Sequence, residues 1–276
     1  MFGPRRRYGR RGGGGGGFGL VLLGLQLVNL FSFLSGSNEF FPVTLGVLAV
    51  NIAAYLRPGH ISWPSLSEAC ISVKGVWFHQ QWKRLVFSPF IHVSDLHLYY
   101  NMASFMWKAI SLEKRFGSGY FLYMIGVFSV ATGALYLAIN YFLAELLDQW
   151  SYMNSCAVGF SGVLFALKIV TTHLHPGGVT MIMGFFPVPM KLACWVELIL
   201  ISVLFPNVSF VGHLAGILVG LAFVSGPLRM IMDIPLTIAN GIIICIYYVE
   251  AHKPTGSSWA PDVRNASVEY CKHAHN

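Results

Sequence analysis

A chain of 276 residues that is 55% hydrophobic and only 11% charged cannot hide its apolar side chains in a soluble core. Soluble domains carry roughly a quarter charged residues, so the apolar surplus here must face lipid. The formal charge of +7 does not indicate nucleic-acid binding, because five arginines fall within 5–11 and most other cations flank apolar runs; that is topology-setting charge, and no basic face interleaved with base-stacking aromatics occurs.

In chain order, a basic and glycine-rich start (1–17) leads into an apolar run at 18–34. No small-residue cleavage site follows, so this run is read as retained. Further apolar runs occupy 42–56, 96–110, 120–143, 156–172, 191–205, 210–225 and 234–249. Several are shorter than the roughly 20 residues of a lipid-facing helix, which suits helices inside a bundle, where protein or a water-filled cavity satisfies polar groups. The fold expected is an all-α polytopic membrane protein: a six-helix bundle with an extra interfacial or seventh hydrophobic segment. The organisation expected is 1–41 as a basic, glycine-rich N-terminus with an interfacial apolar segment, 42–226 as the core, and 227–276 as a short tail with an apolar run.

Charge sets the expected orientation. The arginine cluster and the loop around Lys108, Lys114 and Arg115 should both face the cytosol, and an even number of crossings between them admits 42–56 and 96–110 as spans. The 18–34 run is then expected along the interface or in non-standard pairing. The loop at 144–155 carries Glu145 and Asp148 without a cation and suits the lumen, whereas Lys168, Lys191 and Arg229 should return to the cytosol. The 234–249 run is short and contains Pro235, Asn240 and Gly241, so an interfacial segment with a cytosolic tail is expected. Of two glycosylation sequons, Asn207-Val-Ser209 lies close to the membrane, and Asn265-Ala-Ser267 reports on the side of the tail. The five cysteines lack paired metal spacing. Cys194 and Cys245 fall in apolar runs and read as small buried hydrophobes; a Cys70–Cys156 disulfide is open to the chain if both face an oxidising lumen.

Polar residues inside apolar runs cost about 2.5–3.5 kcal/mol each on insertion scales and need a reason. Three runs hold them. His97 and Asn101 stand four residues apart on one helical face; Ser161 lies between Gly159 and Gly162 within a helical run; His213 opens a stripe of Gly212, Gly216 and Gly220. A serine between glycines, or a single membrane histidine, usually has only a packing role. Their conjunction supplies the parts of acyl transfer. Ser161 needs a base, which His213 suits, and an oxyanion needs donors, which Asn101, His97 and backbone N–H groups can offer. The glycines permit the close helix approach that lets hydroxyl and imidazole meet. No acid stands where it would orient His213, so a dyad is expected, with no metal or cofactor.

The segments HLYYN, GFSGVLFAL and GHLAGILVG, in this order and spacing, resemble the rhomboid intramembrane serine proteases over about 42–226. The resemblance implies Ser161 as nucleophile, His213 as its partner, and His97 with Asn101 at the oxyanion hole. It implies structural support from Gly159, Gly162, Gly216 and Gly220, and from Glu113 and Arg115 as a Glu-x-Arg motif. Bacterial members place a tyrosine four residues after the serine, stacked on the imidazole; Phe165 stands there and keeps the stacking without the hydroxyl. The family's Trp-Arg pair in the first lumenal loop corresponds to Trp82 and Arg84, with Lys83 between them. The segments SCAVGFS, PVP and ACWVE are most similar to the endoplasmic-reticulum members, which implies that membrane, cleavage of transmembrane substrates near the lumenal face, and membrane-protein quality control. Those members carry a long cytosolic tail that recognises ubiquitin and the ATPase p97. No acidic ubiquitin-interacting helix is visible after about 230, which argues against ubiquitin or p97 recruitment by this tail. The rival reading is an inactive rhomboid-like adaptor that binds or dislocates membrane proteins; such relatives usually lack the serine or histidine, and both stand here. A channel or transporter would show an inverted repeat, and none is found.

Overall fold

The computed structural model describes residues 17–37, 39–57, 62–182, 186–205 and 208–251. The arginine cluster and both sequon asparagines lie outside the described residues. Ten α-helices run in order: α1 Phe18–Gly36, α2 Pro42–Leu56, α3 Leu66–Ala69, α4 Lys83–Phe87, α5 Asp95–Phe116, α6 Ser118–Leu147, α7 Ser161–Leu174, α8 Ala193–Leu204, α9 Phe210–Val224 and α10 Pro227–Ala251. Between α7 and α8, β1 (Val179–Ile182) pairs antiparallel with β2 (Phe186–Pro189), a ribbon that the apolar runs do not announce. The chain is thus an all-α polytopic membrane fold, and it divides into two units at Ser225/Gly226.

In the first unit α5 is the central column. Leu98, Met102, Phe105, Ala109 and Leu112 recur at helical spacing and are all buried. Ser94 caps the helix by accepting the His97 N–H at 3.1 Å, and Asp95 supplies a carboxylate to its positive end. That carboxylate also accepts the Gly19 N–H at 3.0 Å, which fixes the start of α1 beside the start of α5. Phe33 meets Trp107 edge to face at 6.2 Å near the other end, so α1 and α5 run parallel. The 18–34 run, expected along the interface or in non-standard pairing, is a 19-residue helix, long and apolar enough to cross, laid along α5. The charge argument assumed that both ends of this stretch share one side, but parallel packing puts Gly17 and Arg115 at opposite ends of α5.

Glu113 organises the far end of that column. One carboxylate oxygen accepts the Val43 N–H (3.0 Å) and the Ser118 hydroxyl (2.8 Å). The other takes the Thr44 N–H (2.8 Å) and hydroxyl (2.7 Å). The starts of α2 and α6 are thereby tied to the end of α5, and orphan N–H groups of α2 find a charged acceptor. Arg115 is exposed and takes no part in this network; Lys114 pairs with Glu39.

One further expectation falls. Lys108 is not in a loop beyond the second span but inside α5, where it donates to the Ser104 hydroxyl at 2.6 Å and the Ser104 carbonyl at 3.2 Å. Lys168 is inside α7, paired with Glu197 of α8. Polar positions are tolerated within such helices when they line a cavity. Cys194 is buried as expected, whereas Cys245 is only half-buried.

In the second unit α10 has 25 residues, with Pro235 inside it, and 227–247 is long and apolar enough to cross. The expectation that this segment is too short to span is corrected: helix formation begins seven residues before the apolar run.

Candidate active site

Ser161 is the first residue of α7, not an interior one as the apolar run suggested. The chain reaches it through an extended approach. Ile71 and Ala157 exchange both backbone hydrogen bonds at 3.0 and 3.1 Å, and Cys70 and Cys156 form a disulfide with a Cα–Cα distance of 5.7 Å. Gly159 then donates its N–H to the Ser88 carbonyl at 2.8 Å, with φ at +109°, a conformation that L side chains rarely adopt. A Cβ there would lie 2.7 Å from the His97 ring, so glycine is required by conformation and by space.

Arg84 braces this approach from the side. Its guanidinium donates to the carbonyls of Ser67 (2.7 Å) and Cys70 and to the Gln81 side chain (2.6 Å). Trp82 is half-exposed and packs edge to face on Trp77 at 6.1 Å, so it stiffens the loop without touching the site.

The helix pair α7–α9 brings Ser161 and His213 together. His213, in the first turn of α9, places Nε2 at 2.9 Å from Ser161 Oγ. Ser209 caps α9 by accepting the Gly212 N–H at 3.1 Å, which sets the register of that turn. Phe165, one turn below Ser161, lies against the imidazole with centroids 4.8 Å apart and planes 33° apart. His213 Nδ1 is buried without a hydrogen-bond partner among the described residues, so the ring is held by stacking and packing, not by a carboxylate. Close helix approach makes this meeting feasible: a Cβ on Gly216 would strike the Gly162 carbonyl, and one on Gly220 would come within 2.7 Å of the Ala166 carbonyl.

His97 and Asn101 face the same space from α5. Asn101 spends one amide N–H on the His97 carbonyl at 2.7 Å, which leaves its second N–H, and its buried Oδ1 has no partner. His92, in the loop before α5, packs against His97 at 5.0 Å; burial, and then the charge of His97, push its imidazole down to about 3, so it stays neutral. The first turn of α7 has no side-chain cap, so its N–H groups and dipole point at the position where charge would build beside Ser161. A hydroxyl, an imidazole in reach of it and the uncapped head of α7 beside them are the parts that acyl transfer would need.

Sequence reasoning missed Thr132 of α6, whose methyl abuts Gly162, and His92; neither breaks an apolar pattern strongly enough to be noticed. Lys108, Lys168 and Glu197 were visible as charges in or beside apolar runs but were used only as markers of sidedness.

This is the architecture of an intramembrane helix bundle with a serine–histidine pair, and the chain belongs to the rhomboid family: the rhomboid domain matches residues 79–228. It is 49% identical over 215 residues to Rhomboid-related protein 4 of Mus musculus, covering 78% of this chain and 65% of that protein. Rhomboid-like protein 14, mitochondrial, of Arabidopsis thaliana is 38% identical over 220 residues, covering 73% and 65%. Rhomboid-type serine protease 2 of Yarrowia lipolytica is 25% identical over 152 residues, covering 54% of this chain and 48% of its own. The chain therefore spans a little under two thirds of the first relatives it matches. No solved structure matches it.

Proposed function

We propose that this protein is an intramembrane serine endopeptidase that cleaves transmembrane proteins near the lumenal face of the endoplasmic reticulum membrane, in membrane-protein quality control. The observation that carries the reading is the 2.9 Å contact between His213 Nε2 and Ser161 Oγ at the uncapped head of α7. Ser161 Oγ attacks the scissile carbonyl while His213 Nε2 takes its proton; the same proton then passes to the leaving amine, which departs from an acyl-enzyme. Water deacylates the serine with His213 again as base. The oxyanion is met by the Asn101 N–H, the first-turn N–H groups of α7, and His97 at the rim. The assignment to the endoplasmic reticulum follows the likeness to Rhomboid-related protein 4. The test is co-expression with a single-span lumenal-ectodomain substrate. Wild type releases the ectodomain and Ser161→Ala, equally folded, does not; undiminished release by Ser161→Ala would refute the mechanism.

A further inference from the structure

A second group of charges lines the cavity that holds the dyad. One continuous cavity of about 2460 Å³ is bordered by Ser161, His213 and Asn101 and also by Lys108, Lys168 and Glu197. Lys168 and Glu197 neutralise each other. Lys108 borders the same cavity as Lys168, but among the described residues the acceptors it touches are the neutral hydroxyl and carbonyl of Ser104. An ammonium has three donors, so one N–H and a net positive charge remain facing the cavity. A charge held inside a membrane bundle is costly and calls for a function. Lys108 lies thirteen residues after the start of α5 and eight before its end, in the body of the helix. Lys168 follows Ser161 by seven residues on one helix, which places this cluster about 10 Å deeper than the nucleophile.

We propose that Lys108, backed by the Lys168–Glu197 pair, is a specificity subsite that receives the carboxylate of an Asp or Glu in the transmembrane segment of a substrate. At about 3.3 Å per residue extended or 1.5 Å helical, a 10 Å descent puts that residue roughly three to seven positions beyond the scissile bond on its membrane-buried side. This location rests on the protease reading; the charge preference does not.

The experiment measures retention in the full-length Ser161→Ala chain, so its result does not depend on catalysis. Single-span proteins identical except for Glu, Gln or Lys, scanned through the lumenal half of the span, are co-isolated in mild detergent. Glu within one narrow window is retained on the order of tenfold better than Gln. Lys108→Gln brings that ratio towards one, and Lys108→Arg preserves it. Equal retention of Glu, Gln and Lys proteins, or a preference for Lys, overturns the proposal even if Lys108→Gln fails to fold, because that comparison uses the unaltered lysine. Wild-type cleavage of the same set is scored in parallel. Retention of Glu without cleavage removes the protease reading and keeps the subsite, whereas charge-blind retention with active cleavage does the reverse.

Discussion

The two ends of α5 treat their polar groups in opposite ways. At the Glu113 end, four donors from α2 and α6 converge on one buried carboxylate, and both of its oxygens are used twice. At the His97 end, His97 Nδ1, Asn101 Oδ1 and His213 Nδ1 are all buried without a protein partner. A polar atom that no protein group pairs is open to water or to a substrate. The contrast separates a knot that holds helices from a site that keeps its hydrogen-bonding capacity for something else.

The comparison can be broken most severely at the dyad. His213→Ala should reduce cleavage by more than about 10³-fold, and combining it with Ser161→Ala should cost no more than either alone, since the pair acts as a unit. Thermal unfolding in detergent should be nearly unchanged; a marked loss of stability would make His213 a structural group like Glu113. Next in size, Asn101→Ala should lower the cleavage rate by about 10²–10³-fold at unchanged substrate affinity, measured with a fluorogenic membrane peptide. A wild-type rate would leave the oxyanion to the head of α7 and His97.

At the opposite end the effect should move from rate to stability. Glu113→Gln turns an acceptor-only group into one with donors that face donors, and should cost about 3 kcal/mol in reversible unfolding while cleavage per folded molecule persists. If cleavage falls and stability does not, the division drawn here is wrong. The smallest effect concerns His92. Its folded-state pKa is lowered to about 3 from the ordinary 6.5, so the unfolded chain binds the proton more readily. The stability it contributes is present above about pH 6.5 and is lost as pH falls from there towards 3, at up to about 1.4 kcal/mol per pH unit. His92→Gln should flatten the slope between pH 6.5 and 5; an unchanged slope would assign it to other groups.

Much of the site was legible in the chain. Ser161, His213, His97 and Asn101 break apolar runs, and such breaks are rare because they are costly. The Cys70–Cys156 pairing was allowed on paper but not chosen among five cysteines; the bridge between Ile71 and Ala157 chooses it. Lys108 and Lys168 fall inside the apolar runs at 96–110 and 156–172, yet charge counting treats a cation as a marker of the cytosolic side whatever it pairs with. Hydrogen bonds to Ser104 and pairing with Glu197 let α5 and α7 continue past them.

By itself the sequence determined the membrane setting, the helical class and the polar residues on which the proposed acyl transfer rests, because composition, hydrophobic period and costly polar breaks are local properties of a chain. Only the tertiary structure decided that α1 runs parallel to α5, that Ser161 heads its helix instead of lying inside it, and that Lys108 shares a cavity with the dyad. Those outcomes depend on which glycines face which carbonyls and which donors reach which carboxylates across helices. No single segment carries that information, because a helix's period is the same whichever neighbour it packs against.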